Sequence, residues 1–283
     1  MTQGFTEVSL PLVSRFLGEL DPEFVWAAAL LAALAYSVRS ARRSGLDPRN
    51  MYWAVVSAIL GGLWGGHLLG LFVHGWGGGS FAFFQFWEGG KSYYGGLLGG
   101  GIAGGLFFHY RKVPVLAYAD ASMPALALGY AIGRLGCFLN GDDYGTVSRV
   151  PWAVVYLSGT EVHAAQVARG WIGPGAMWSL PVHPVQLYAS LLGLCLFVWL
   201  TNWRPMRAGS RFCAFVISYG LARFIMEFVR GDFRPVLGPL SLPQVFSLIF
   251  ILVGVGVWLE LVLGASAAVR CSMPVAAESS NPV

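Results

Sequence analysis

"ASMPALALGYAIGRLGCFLNGDDYG", residues 121–145, sets an apolar run directly against a polar one. Its first twelve residues are apolar enough to sit in lipid, and the next thirteen bring Arg134, Asn140, Asp142 and Asp143. An ionised side chain at that depth is costly unless something pairs with it, and such residues face a bundle interior or a water-filled cavity. The stretch therefore reads as a membrane span that runs straight into a polar site.

The rest of the chain agrees. Of 283 residues, 56% are hydrophobic and only 11% charged, with a mean hydropathy of +0.62. Soluble domains carry about 25% charged residues, so the fold class expected is an all-α polytopic membrane protein. The net charge of +4 comes without a basic stripe or interleaved aromatics, which excludes a nucleic-acid partner. Cys137, Cys195, Cys213 and Cys271 show neither a C-x-x-C pair nor a metal spacing, so no disulfide framework and no metal site are expected. The start, "MTQGFTEVSLPLVSRFLGEL", lacks a basic opening and a long apolar centre, so the first span is expected to act as its own insertion signal.

Seven spans are predicted, at about 24–38, 53–73, 95–110, 116–135, 186–201, 211–229 and 243–263. The third is short and glycine-rich ("GGLLGGGIAGGLFF"), which suits close packing against a neighbouring helix. The loops then set the orientation. Arg39, Arg42, Arg43, Arg49, Arg111, Lys112, Arg204, Arg207, Arg211 and Arg270 cluster in short connections and helix ends on one side. Arg15, Lys91, Arg149, Arg169, Arg230 and Arg234 are spread over longer segments on the other. The positive-inside rule puts the clustered side in the cytoplasm, the N-terminus outside and the C-terminus inside. The expected organisation is an amphipathic arm over 1–22, a seven-helix membrane domain over 23–263, an extracytoplasmic subdomain inserted over 136–185, and a cytoplasmic tail over 264–283. The segment "WAVVYLSG" (152–159) suits a short strand or an interfacial helix.

Under this orientation four polar segments converge on the outer half of the bilayer. Arg134 ends span four, and Arg223 and Glu227 lie four residues apart on one face of span six, with Tyr219 a further four back. "KSYYGG" (91–96) and "HPVQLY" (183–188) enter spans three and five from outside. Arginine keeps its proton under desolvation and grips a phosphate with two parallel N–H groups, and a phospholipid headgroup is the anion available at that depth. Arg134 thus has two possible partners, a lipid phosphate or an acidic neighbour such as Asp142. Arg223 with Glu227 also reads as a plain structural ion pair. His67 reads as a satisfied bundle histidine, and the glycine runs contain no phosphate-loop pattern.

These motifs resemble those of the prolipoprotein diacylglyceryl transferase family, whose signature is close to G-R-x-G-N-F-x-N-x-E-x-x-G. Residues 133–145 match it at Gly133, Arg134, Gly136, Phe138, Asn140 and Gly145. The family's H-P-x-Q-L-Y stands as "HPVQLY" (His183, Gln186, Tyr188). Its Y-x-x-x-R-F-x-x-E-F-x-R is complete in Tyr219, Arg223, Phe224, Glu227, Phe228 and Arg230, and its H-G-G-L-I-G is "YGGLLG" from Tyr94. The similarity runs from about residue 40 to 263.

The resemblance implies a multi-pass enzyme of the bacterial inner membrane that moves the diacylglyceryl group of phosphatidylglycerol to the lipobox cysteine in the signal peptide of a prolipoprotein. A thioether forms and glycerol phosphate leaves, with no metal and no cofactor. It implies a catalytic set of Arg134, Arg223, Tyr94, Tyr219 and Asp142. It also implies a phospholipid-binding set of Arg134, Arg223, Asn140, Glu227, Arg230, His183, Gln186 and Tyr188. The chain departs from the family at Tyr94 for histidine, Cys137 for asparagine, Asp142 for glutamate, His67 for an arginine and Ala189 for a glutamate, and it lacks the W-Y-G of span one. The arginines are kept while the proton-handling side is altered. Tyr94, Asp142 and His183 all stand as candidates for the base. Two functions follow: an active transferase, on this or another acceptor, or a catalytically silent relative that binds phospholipid or lipoprotein precursors.

Overall fold

The computed structural model describes residues 21–74, 93–231 and 235–272. The helices are α1 (Pro22–Arg43), α2 (Pro48–His74), α3 (Tyr93–Tyr110), α4 (Val115–Asn140), α5 (Glu161–Ala168), α6 (Val185–Asn202), α7 (Ser210–Met226) and α8 (Leu242–Ser272). A 3-10 turn, Glu227–Val229, prolongs α7, and a small hairpin of β1 (Pro235–Leu237) and β2 (Leu240–Ser241) leads into α8. Among the described residues, α1, α2, α4, α6, α7 with its 3-10 turn, and α8 are long and apolar enough to cross a membrane. The protein is an all-helical, polytopic membrane protein.

The third expected span does form a helix, α3, but it is not among those six. Seven glycines, three tyrosines and His109 keep its hydropathy low. Those glycines have another use. A Cβ on Gly61 of α2 would stand 2.6 Å from the carbonyl oxygen of Gly99 on α3, and one on Gly65 would stand 2.9 Å from the Gly99 Cα. The two backbones touch, which leaves no room for any side chain and gives α3 a wall of α2 to lie against.

α4 is the central post. It packs on α1 through Gly129 against Ala33, on α6 through Ala127 and Ala131 against Gly193, and on α7 through Met123 and Ala127, which share a core with Leu196, Leu200, Phe215 and Tyr219. At its start, Asp120 accepts hydrogen bonds from the backbone N–H of Gly209 and Phe212, both 2.8 Å, and so caps α7 from a neighbouring helix. Nothing in the sequence pattern singled Asp120 out for this.

Several boundaries differ from expectation: α1 runs on to Arg43 rather than 38, and α2 starts at Pro48 rather than 53. α4 runs five residues beyond 135 to Asn140, where Gly141 takes a left-handed conformation (φ 71°) and ends it. The non-helical backbone that follows α4 therefore starts at Gly141. α8 continues past 263 to Ser272, so the start of the expected tail is helical. The arm over 1–22 falls outside the described residues except for its last two positions, as do 273–283 and the Lys91 end of "KSYYGG". Within 141–184, "WAVVYLSG" takes the strand-like alternative: Val154 pairs with Val182 and Leu157 with Trp178. A small core of Tyr144, Tyr156, Val162 and Val182 closes this segment over α5.

Candidate active site

Two helix ends and one loop build the site. α4 ends with Tyr130 and Arg134 on its inner side, and α7 with its 3-10 turn supplies Tyr219, Arg223 and Glu227, followed by Arg230. The loop Gly141–Gly145 is stitched to both neighbours through backbone bonds. Gly145 N–H donates to the His183 carbonyl (3.0 Å), Thr146 N–H to Val229 (2.8 Å) and Gly231 N–H to Tyr144 (3.0 Å). A bridge pairs Gly145 with Arg230. Gly145 has to be glycine, because a Cβ there would stand 2.6 Å from the His183 Cβ. Three separated motifs are thereby fixed against one another by main-chain bonds.

The arginines meet. Arg134, Arg223 and Arg230 line one cavity with Tyr130, Val185, Ala189 and Met226, a space of about 10 Å³, roughly enough for one water. Each guanidinium is about nine-tenths buried and each has a carboxylate. Arg223 Nη1 donates to Glu227 Oε2 at 2.5 Å, Arg134 Nη1 to Asp143 Oδ2 at 2.5 Å, and Arg230 Nη2 to Asp143 Oδ1 at 2.5 Å. Glu227, only 3% exposed, also accepts from Ser241 Oγ at 2.8 Å and lies 3.8 Å from Arg230 Nε. The Arg134 guanidinium stacks 5.1 Å above the Tyr130 ring, whose edge meets Tyr219 at 5.2 Å. Tyr94 stacks on Phe246 of α8 at 4.3 Å, within electrostatic reach of Arg223, Glu227, Tyr219 and Arg230.

The acidic partner of Arg134 is Asp143, where the sequence pointed to Asp142. Asp143 sits at φ 53°, in a left-handed turn two residues after that of Gly141, and the two adjacent carboxylates take different partners. Asp142 turns back to accept from Asn140 Nδ2 at 2.8 Å and lies beside Cys137. Their electrostatics separate accordingly. Burial works against the charge on Asp143, but Arg134 and Arg230 overcome it and hold its carboxyl well below the usual carboxylate range. Burial pushes the Asp142 carboxyl up and the nearby Asp143 charge adds to this, against the Asn140 hydrogen bond. Cys137, Asp142 and Asp143 offer ligand atoms within 4.8 Å of one another, yet both Asp143 oxygens already hold guanidinium groups, which oppose a cation there.

Of the residues singled out from sequence, Arg134, Arg223 and Arg230 line the cavity, Glu227 is ion-paired to a lining arginine, Tyr219 packs on the lining Tyr130, and Tyr94 lies close by. Asn140, His183, Gln186 and Tyr188 do not line it. Gln186, fully buried, donates to the Asp142 carbonyl at 2.6 Å and supports the loop from below. His183 Nδ1 and Tyr188 Oη lie 3.1 Å apart, and Trp152 Nε1 donates to the same hydroxyl at 2.6 Å, which ties α6 to the inserted segment. Sequence reasoning passed over Asp143, Tyr130 and Ser241. Asp143 was in plain view within the quoted motif, but two adjacent acids gave no basis for choosing the second.

A model of the prolipoprotein diacylglyceryl transferase family matches residues 24–260, beginning further toward the N-terminus than the motif resemblance. The chain is 34% identical over 275 residues to the phosphatidylglycerol–prolipoprotein diacylglyceryl transferase of Paraburkholderia phymatum, covering 87% of this chain and 88% of that protein. It is 37% identical over 275 residues to the enzyme of that name from Paraburkholderia phytofirmans, covering 88% and 90%. The Paraburkholderia xenovorans enzyme gives 35% over 280 residues, with the same two coverages. With its motifs in order, its arginines gathered and its length matched nearly end to end, this chain belongs to the prolipoprotein diacylglyceryl transferase family.

Proposed function

We propose that this chain is a phosphatidylglycerol–prolipoprotein diacylglyceryl transferase. The observation that carries the reading is the convergence of Arg134, Arg223 and Arg230 on one cavity from two helices and the turn after them. In the reaction, the lipobox cysteine sulfur bonds to the glycerol carbon that carries the phosphate. The carbon–oxygen bond to that phosphate breaks, its electron pair stays on the phosphate oxygen, and glycerol phosphate departs. Preorganised guanidinium groups stabilise the charge that gathers on the leaving phosphate, in a setting shielded from water. The same positive field favours the thiolate, since a free thiol titrates near about 8.5.

The thiol proton needs an acceptor. Asp142 suits this role better than Tyr94, because burial raises its carboxyl above the ordinary carboxylate value and so makes it a stronger base, whereas a phenol titrates near about 10 and holds its proton. Tyr94 and Tyr219 line up the reacting groups around the arginines. Asn140 and Gln186 hold the loop that carries Asp142 and Asp143, while His183 and Tyr188 fix the entry of α6 beside it.

The proposed setting is the bacterial inner membrane. α3 makes a seventh crossing, sheltered by α2, with the N-terminus outside and the C-terminus in the cytoplasm, as the clustered basic loops favour. The arginine site and the inserted segment then face the outer leaflet, where phosphatidylglycerol and the prolipoprotein signal peptide meet.

Purified protein, phosphatidylglycerol and a lipobox peptide test this directly by mass spectrometry. A diacylglyceryl mass gain on the peptide cysteine is expected. Arg134→Lys and Arg223→Lys keep the charge but lose the two-pronged grip, and each is expected to lower transfer by at least about tenfold. Phosphatidylglycerol binding with no mass gain would instead mark a catalytically silent relative, and normal transfer by both lysine variants would refute the phosphate clamp.

A further inference from the structure

Asp143 is placed where an incoming anion would go. One of its carboxylate oxygens holds Arg134 and the other holds Arg230, each at 2.5 Å, and both arginines line the cavity. The two free oxygens of a phosphodiester have the same charge and the same two-oxygen geometry, and would engage the same pair of guanidinium groups. Arg134 sits within α4 and Arg230 directly after the 3-10 turn, bridged to Gly145, with side chains 11% and 9% exposed, whereas the Asp143 side chain is 34% exposed on a loop residue in a left-handed conformation. The carboxylate can therefore rotate into solvent while the cations stay in place. Non-glycine residues occupy that backbone region seldom and at a cost, and such positions gather where function holds them.

We propose that Asp143 is an internal stand-in for the lipid phosphate. It fills the anion position between Arg134 and Arg230 when no headgroup is bound, yields that position to the phosphodiester, and returns to help expel the phosphomonoester left by transfer. This rests on the transferase reading above. The charges around the cavity support it. Among the described residues the three guanidinium groups are paired with two carboxylates, Glu227 and Asp143, so displacement of Asp143 frees positive charge for a singly charged phosphodiester. Transfer converts that diester into a monoester whose second proton titrates near about 6, so the product is close to a dianion at neutral pH. Without the Asp143 carboxylate, the arginines would hold the more highly charged product more tightly than the substrate. A tethered carboxylate competes at high effective concentration and restores the balance.

The test compares wild type with Asp143→Asn, which keeps the shape and loses the charge, and with Asp143→Glu, which keeps the charge. Glycerol phosphate is titrated calorimetrically onto each detergent-solubilised protein, and its inhibition of transfer from dioctanoyl-phosphatidylglycerol is measured alongside. Asp143→Asn is expected to bind glycerol phosphate about tenfold more tightly, with a lower KM for the lipid and a lower kcat. Asp143→Glu is expected to stay close to wild type in binding. Unchanged or weaker glycerol phosphate binding in Asp143→Asn would overturn the proposal and leave Asp143 as a structural tie between two arginines. The titration involves no chemistry, so it decides the matter even if the wild type transfers nothing and the transferase reading fails. Should Asp143→Asn not fold, an experimental structure of the wild type with dioctanoyl-phosphatidylglycerol decides instead: Asp143 released from Arg134 and Arg230 supports displacement, and Asp143 still paired beside bound lipid refutes it.

Discussion

Replacing Glu227 with glutamine tests whether the buried ion pair holds the end of α7 in place. Glu227 is 3% exposed, receives Arg223 Nη1 at 2.5 Å and Ser241 Oγ at 2.8 Å, and lies 3.8 Å from Arg230 Nε. Glutamine keeps the length and one carbonyl oxygen. It removes the charge, however, and turns an amide N–H₂ toward either the Arg223 guanidinium or the Ser241 hydroxyl. Two guanidinium groups, each about nine-tenths buried, would then share one fewer counter-charge. Breaking a buried pair by removing one partner costs about 3–5 kcal/mol, and the retained acceptor puts this case near the lower end, about 3 kcal/mol. At about 2–4 °C per kcal/mol for a chain of this order of size, the melting temperature should fall by about 6–12 °C. Tryptophan fluorescence of the detergent-solubilised protein reads the transition. A double-mutant cycle with Arg223→Gln isolates the pair: the double variant should lose less than the two singles together, by about 1.5 kcal/mol. If Glu227→Gln melts within about 2 °C of wild type, or if the single effects simply add, then the reasoning about this buried pair is wrong.

Two further perturbations probe other parts of the argument. A valine at Gly99 puts side-chain atoms into the Gly61 carbonyl and should cost about 3 kcal/mol or more in thermal unfolding, whereas valine at Gly101 or Gly105, which face open space, should stay within about 1 kcal/mol. Equal tolerance at all three positions would refute the backbone-to-backbone packing of α2 and α3. The second perturbation is pH. Because the folded state holds the Asp143 carboxyl below its ordinary value of about 4, its contribution is present above that value and lost only as pH falls through the lower folded one. Asp142 has the opposite sign: its carboxyl is pushed up, so its contribution is present in acid and lost as pH rises through the raised value. Melting temperatures from pH 3 to 8 should therefore show the gap between wild type and Asp143→Asn shrinking only at the acid end, and Asp142→Asn gaining on wild type toward neutral pH. A gap for Asp143→Asn that is the same at both ends would exclude its low carboxyl value.

Much of this protein was legible in one dimension because membranes impose one-dimensional constraints. Apolar runs long enough to cross lipid follow from composition, and an arginine among them at 134 or 223 needs a polar destination wherever the helices go. The i, i+4 spacing of Arg223 and Glu227 makes their pairing a property of a single helix, and it formed. α3 was legible only in part: its glycine run suggested close packing, but that α2 is the neighbour, and that Gly61 and Gly65 meet Gly99, is seen only in the docked pair of helices.

By itself, the order of residues determined the membrane class, the ordered motifs and the family, and it named the arginines, because each depends on local spacing or on the solvent a segment can tolerate. Only the tertiary structure decided which acid meets Arg134 and that Arg230 joins it. Asp142 and Asp143 are equally near along the chain. The choice falls to the left-handed turns at Gly141 and Asp143 and to the bridge from Gly145 to Arg230, and that bridge joins residues far apart in sequence. Local propensity carries no record of such a meeting, because its geometry exists only once α4, α6 and α7 have packed together.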